Sequence, residues 1–300
     1  MKILVLGSRG QIGRCLRDQL AKTANKVVYL FREQLDISNF KKTKEKLSEF
    51  SPDVVINAAA YTAVDKAEDE EVLANLINHL SVRNLAICCA DLNCWLFHFS
   101  TDYVFDGFSL VPYAEEDKTN PKSVYGKTKL MGELAIQSSG CKYVIIRTAW
   151  VFSEYGNNFM KTMLYLAAER NELKIVGDQV GCPTYAQDIA HAVVVILRDI
   201  ESGHGSSGLY HFGGNLGCSW ADFASSIFDE AAAVKIIGVP PKVVHITTKE
   251  FPTRARRPAQ SQLNSNKIKK DFGIDASDWG RGIRSSLSAR KTETSQASSK

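Results

Sequence analysis

Along the first half of the chain, apolar residues come in short and nearly unbroken runs: Lys2 to Leu6, Lys26 to Phe31, Asp53 to Asn57, Cys94 to Phe99 and Lys142 to Arg147. Runs of this kind, rich in Val, Ile, Leu and Phe, predict strands covered on both faces; a strand with one wet face would alternate. Between them the pattern stretches to a helical period at Gln11 to Thr23, Ser38 to Glu49, Glu70 to Asp91 and Pro121 to Ser138. Alternating strand and helix predict an α/β fold, a doubly wound parallel sheet with right-handed crossovers.

After about residue 150 the rhythm changes. A helical pattern (Asn158 to Glu169) leads into a short strand, Lys174 to Val176, and the turn-rich GDQVGCPT. A second apolar helix, Ala186 to Leu197, precedes a Gly/Ser loop, a strand-like LYHFGG, a helix from Ala221 to Ala233 and a proline-punctuated segment. This divides the chain into a larger domain, 1–149, and a smaller, mixed C-terminal lobe, 150–285, fed by long loops and suited to binding a substrate. Of that lobe, 184–214 is expected to pack back on the first domain. The serine-rich stretch 286–300 reads as a disordered tail.

Composition narrows the class. A charge of +4 from 37 basic and 33 acidic residues, dispersed along the chain, calls for neither nucleic acid nor a membrane as partner. No run approaches the ~18 consecutive apolar residues of a membrane span, and the first apolar stretch stops at Gly7, too short for a signal core. The seven cysteines are odd in number and contain no C-x-x-C, which points to reduced thiols in the cytoplasm. The six histidines form no H-E-x-x-H, and no protein-held metal is expected.

The opening strand runs into Gly7-Ser8-Arg9-Gly10-Gln11-Ile12-Gly13 and then a helix. Glycines at this spacing allow a tight turn, close approach of a diphosphate to the backbone and close helix–strand packing, while the helix N-terminus offers unpaired N–H groups. The context is that of a Rossmann dinucleotide loop, with Gly7, Gly10, Gln11, Ile12 and Gly13 against the cofactor. Arg32, after the second strand, favours NADPH over NADH, since a cation there accepts a 2′-phosphate. Glu33 beside it blunts the preference. Asp36 and Ile37 resemble the pair that meets the adenine. Ala60, Tyr61 and Thr62, after the third strand, read as a floor for the cofactor or equally as tight helix–sheet packing.

Asn120, read as an N-cap, and Pro121 open the helix that carries Tyr125 and Lys129, four residues apart and so on one face. A phenol beside an ammonium suits proton transfer, because the cation favours phenolate and draws its pKa toward neutrality. At the carboxyl end of the fourth strand, where ligands of open α/β sheets bind, lies HFSTDYVFDG. Thr101 is the preferred hydroxyl partner of the reacting oxygen, with Ser100 as runner-up and Asp102 beside it.

At this point the chain resembles the dTDP-4-dehydrorhamnose reductase family, extended short-chain reductases acting on nucleotide sugars. The resemblance covers roughly residues 1–285 and rests on GSRGQIG, INAAAYTAVDKAE, FSTDYVFDG, the stretch from PYAEED to KLMGE, IIRTAWVF, GNNFMKTM, DQVGCPTYAQDIA and FPTRARRPAQSQL. It implies reduction of a 4-keto-6-deoxyhexose linked to a nucleotide, with Thr101, Tyr125 and Lys129 as the catalytic set and Trp150 against the sugar nucleotide. Arg254, Arg256 and Arg257 are then candidates for the diphosphate, or a solvated basic turn. The acidic Glu115-Glu116-Asp117 is either solvated or the place where metal-bridged homodimers of the family hold Mg2+. A Thr-Asp-Glu reading would suit a dehydratase, but the third position is Tyr103. Two alternatives remain: an epimerase retaining its NAD, and a non-catalytic regulatory subunit like the β subunit of methionine adenosyltransferase.

Overall fold

Five of the apolar runs become parallel strands: β1 (Lys2–Leu6), β2 (Lys26–Leu30), β3 (Val54–Asn57), β4 (Trp95–Thr101) and β5 (Lys142–Thr148). The structure, a computed structural model, describes residues 1–297. The strand Gly208–His211 joins the edge beyond β5, giving the order β2, β1, β3, β4, β5, Gly208–His211, all parallel. Successive side chains leave opposite faces of a strand, so the unbroken runs feed two cores. Ile3, Val5, Ile56, Phe97, Val144 and Ile146 pack with α1 (Gln11–Leu20) and the helix Ala186–Glu201. Leu4, Leu6, Val55, Leu96 and Ile145 pack on the other face with side chains of α2 (Phe40–Phe50) and of two helices described next.

The single helix expected from Glu70 to Asp91 is interrupted. The helix α3 (Val64–Ala67) precedes α4 (Glu71–Asn75), and a π-helical turn, Leu76–Leu80, then leads into α5 (Ser81–Asp91). The wider turn frees Asn78, which donates to Tyr61 O at 3.0 Å and accepts from Tyr61 N at 2.9 Å. It thereby fixes the segment leaving β3. Among the described residues only Glu71–Asp91 is long and apolar enough to cross a membrane, and along it Val82, Leu85, Ala86, Cys88 and Cys89 are buried in the core. The helix carrying Tyr125 and Lys129 is α6 (Val124–Gln137).

The C-terminal lobe has its own core of Phe152, Met160, Leu164, Ile175, Phe223 and Ile227. It is built on the helices Phe159–Ala167 and Trp220–Ala233 and the parallel strands Glu172–Val176 and Lys242–Ile246. The expected tail at 286–300 is corrected: the helix Trp279–Ala297 runs through most of it, and residues 298–300 lie outside the described residues. Its polar composition concealed one anchor, Leu287, which is fully buried in the lobe's core with Ile283 one turn earlier on the same helix.

Candidate active site

The direction of winding reverses at β1, with β2 on one side and β3 on the other. Ligands of open sheets bind at such a switch point, beyond the strand ends. Two hollows open there. One of about 300 Å3 is lined by Gly7, Arg9, Gly10, Arg32, Asp36 and Ile37, with Ala58 to Ala60 as its floor. The other, of about 590 Å3, shares that floor and extends past Gln11 and Ile12 to Thr101, Asp102, Tyr125, Lys129 and Trp150.

The glycine loop fits a dinucleotide on local grounds. Gly7 has φ +74°, and a Cβ there would lie 2.6 Å from the Ala58 carbonyl carbon. A Cβ on Gly13 would lie 2.4 Å from Gly7 O, so Gly13 serves the packing of helix on loop and lines neither hollow. No side chain caps the start of α1 at Gly10. Its first-turn N–H groups are thus available to an anion, where the helix dipole is positive. Gln11 lines the larger hollow and its Oε1 accepts from Ser153 and from Asn158 Nδ2 at 3.1 and 2.9 Å, tying the loop to the C-terminal lobe.

The N-cap of α6 is Ser123, whose Oγ accepts from Gly126 N at 3.1 Å, not Asn120. Asn120 instead donates to Asp106 Oδ2 at 3.0 Å, which ends the preceding loop rather than starting the helix. Gly126 has a local reason to lack a side chain, since a Cβ would stand 2.2 Å from Tyr103 O. This close approach of α6 to the end of β4 brings Tyr125 and Lys129 beneath the second hollow. Lys129, buried, donates to Phe99 O at 2.6 Å and lies 3.0 Å from His98 Nε2. Burial pushes the amine down to about 8, with the Glu133 charge opposing.

The phenol of Tyr125 does not follow expectation. Burial raises it above the usual tyrosine range, with the Thr101 hydroxyl working in the opposite sense. Lys129 Nζ is engaged by Phe99 O and stands against His98, and it does not offset that burial. Thr101 Oγ1 donates to Asp102 Oδ1 at 2.9 Å and accepts from Tyr103 N at 3.2 Å. The Ser100 hydroxyl is committed to Glu133. Burial pushes Asp102 up to about 6, and its Oδ2, like the Thr148 hydroxyl on the same wall, is buried without a hydrogen-bond partner.

The structure redistributes the remaining candidates. Trp150 lines the cavity at φ +47°, an uncommon conformation for a bulky residue. Its ring stacks on Trp220 with centroids 3.4 Å apart, and only glycine at 181 leaves it room. Thr62 lines the same cavity, whereas Tyr61 points its hydroxyl to Glu70 at 2.8 Å. Arg254 and Arg257 do not line it. Arg254 pairs with Asp69, and Arg257 pairs with Asp65 at 2.7 Å while donating to the Tyr103 hydroxyl at 3.1 Å. These acids in and after α3 attract the arginines that the sequence offered to a diphosphate. Glu115 of the acidic stretch turns inward, half-buried, and accepts from His211 N at 2.7 Å. Within this chain, no three His, Cys, Asp or Glu among the described residues are grouped to hold a metal.

Sequence reasoning missed Arg9, whose guanidinium stacks over Phe31 at 3.5 Å from the ring centroid. It also missed the support beneath the site. Glu133 accepts from Arg147 Nε and Nη2, the latter at 2.7 Å, with both side chains buried. The signal was a Glu in an apolar stretch of helix and an Arg closing an apolar strand, each too costly to bury alone.

Comparison with known proteins places the chain in company. It matches the family described as RmlD substrate binding domain over residues 1–292. It is 45% identical over 285 residues to a dTDP-4-dehydrorhamnose reductase of Aggregatibacter actinomycetemcomitans, covering 94% of this chain and 97% of that one. The crystal structure of a dTDP-4-dehydrorhamnose reductase from Clostridium acetobutylicum superposes with a TM-score of 0.90 at 39% identity, over 97% of this chain and 100% of that one. A Bacillus anthracis dTDP-4-dehydrorhamnose reductase in complex with NADP gives 0.88 at 34%, over 95% and 98%.

Proposed function

The chain belongs to the RmlD family of dTDP-4-dehydrorhamnose reductases, and from that premise we propose that it reduces the C4 keto group of dTDP-4-dehydro-L-rhamnose to give dTDP-L-rhamnose. The observation that carries this reading is one cavity lined together by Thr101, Tyr125, Lys129 and the open N-terminus of α1. Bound NAD(P)H supplies the hydride that adds to the carbonyl carbon. Tyr125 donates its phenolic proton to the carbonyl oxygen, completing the alcohol. Thr101 hydrogen-bonds the same oxygen by turning its hydroxyl proton from Asp102 Oδ1, while its own oxygen keeps the N–H of Tyr103. Lys129 holds the ribose of the nicotinamide nucleotide, and the glycine loop holds its diphosphate. Trp150, steadied by Trp220, contacts the sugar nucleotide. Holding these groups in one geometry supplies much of the acceleration. The seven cysteines, all free thiols, support a reducing compartment, the cytoplasm.

The test is direct. Incubation with a dTDP-linked 4-keto-6-deoxyhexose and NADPH is expected to consume the nicotinamide absorbance and yield the C4 alcohol by NMR. Cofactor that binds but is not oxidised with any nucleotide-linked 4-keto sugar would favour the regulatory-subunit reading instead.

NADPH is the proposed reductant over NADH. Arg9 and Arg32 flank the smaller hollow and offer two cations to a 2′-phosphate, although each also lies 3.6 Å from an acid, Glu33 and Asp36 respectively. Charge-assisted hydrogen bonds are worth about 1.5–3 kcal/mol, so replacing either arginine by alanine is expected to weaken NADPH binding about ten- to a hundredfold. NADH binding should change little. Fluorescence titration with both cofactors checks this, and an equal loss for the two would sink the preference.

A further inference from the structure

Lys129 ends in a buried network that its expected role does not require. Asn57 at the end of β3 stands in register with His98 on β4. Both side chains therefore leave the same face of the sheet, and Lys129 meets them from α6. All three residues are 1% exposed. Asn57 Nδ2 lies 3.2 Å from His98 Nδ1, and Lys129 Nζ lies 3.0 Å from His98 Nε2.

The proton positions follow from one backbone bond. Ala59 N donates to Asn57 Oδ1 at 3.1 Å, which fixes the amide with its NH2 toward the imidazole. His98 then accepts on Nδ1, and a neutral imidazole that accepts there carries its proton on Nε2. That proton points at Lys129. A neutral amine accepts it, whereas an ammonium has three donors and no acceptor. The network is thus fully paired only with a neutral Lys129. Protonating the lysine forces the His98 proton across to Nδ1, where it meets the Asn57 NH2. Relief requires the amide to turn and give up Ala59, a residue on the floor of both hollows.

We propose that His98 is a positioning residue whose tautomer is tied to the charge of Lys129, with Asn57 holding the arrangement that suits the neutral amine. This rests on reading Lys129 as the cofactor-holding lysine, but the coupling itself belongs to the protein alone. Burial and the Lys129 charge hold His98 well below the usual histidine range, so the imidazole stays neutral and only its tautomer changes. The charged and titratable groups around the pair are few. Glu133, one turn along α6, favours the ammonium and is itself engaged by Arg147 from β5. Tyr125 lies one turn back on α6, Asp102 follows β4, and β3 presents the uncharged Asn57.

The experiment uses the full chain without substrate, so its failure is separable from failure of the reductase reading. Ring-nitrogen NMR of His98, assigned by its loss in His98→Gln, is followed across the titration of Lys129, read at its Cε and assigned by loss in Lys129→Met. The expected result is a change from Nδ1–H to Nε2–H with the same midpoint as the lysine. In Asn57→Asp the new carboxylate accepts from both Ala59 N and His98 Nδ1–H, which holds the ammonium-compatible tautomer. The Lys129 midpoint should rise by about one pH unit, tenfold in proton affinity, and most of that rise should vanish in a His98→Phe background. One tautomer throughout overturns the proposal, as does an equal rise in that background. Should that double variant fail to fold, the tautomer measurement alone decides.

Discussion

Tyr125→Phe is expected to lower kcat about a hundred- to ten-thousandfold, the usual worth of a general acid, while cofactor affinity stays near that of the parent. No neighbour is placed to replace the lost proton. The Thr101 hydroxyl, an alcohol, shares a hydrogen bond but does not give up its proton, and Lys129 directs donors to Phe99 O and stands against His98. Phenylalanine retains the ring that packs edge-on against Tyr103, with centroids 5.6 Å apart, so the fold should survive. The pH profile offers a second reading of the same site. Burial keeps the phenol protonated through the neutral range, which suits a group that must donate. The alkaline fall should therefore follow Lys129, which loses its charge as pH rises through about 8. Steady-state rates and NADPH titration of the variant check both statements. A rate near that of the parent would assign the proton to another residue.

What the sequence could and could not disclose follows from how each residue is read. Strand runs such as Ile3 to Leu6 are legible because burial on both faces leaves no polar position to break them. Tyr125 and Lys129 are legible because their spacing on a helix is local. The N-cap was misjudged by three residues, since both Asn120 and Ser123 have the chemistry and only the tertiary partner, Asp106, decides between them. The acidic partners of Arg254 and Arg257 were hidden for the same reason. A guanidinium suits phosphate and carboxylate alike, and Asp65 and Asp69 are almost two hundred positions away. The helix beyond residue 285 is hidden because a single buried apolar residue there, Leu287, continues the face begun by Ile283 in an otherwise polar stretch. The phenol's raised value was equally invisible, because it depends on burial and not on the residue four positions along.

Glu133→Gln is expected to cost about 3–5 kcal/mol of stability, the usual penalty for stranding one charge of a buried pair. Glu133 accepts from Arg147 Nε at 3.0 and 3.2 Å and from Nη2 at 2.7 Å, and takes the Ser100 hydroxyl as well. Glutamine keeps the shape but removes the charge and turns one acceptor into a donor facing a guanidinium. Arg147 would keep one neutral amide oxygen, the Phe105 ring and the neutral His211, whose pKa burial and Arg147 itself push down to about 3, but no counter-charge. The pair clamps α6 to β5 one turn beyond Lys129, so the effect reaches the site. Glu133 is the group that offsets the burial of Lys129, and its loss should move the lysine's midpoint below about 8 and carry the alkaline fall in rate with it. Replacing both partners together, Glu133→Leu with Arg147→Met, removes the stranded charge and should recover much of the stability without restoring the pH profile. Chemical denaturation of the single and double variants, beside their pH–rate profiles, separates the two contributions. A single variant that loses less than about 1 kcal/mol, the worth of a surface pair, would mean that water reaches Arg147 and that the pair is not what fixes α6 beneath the cavity.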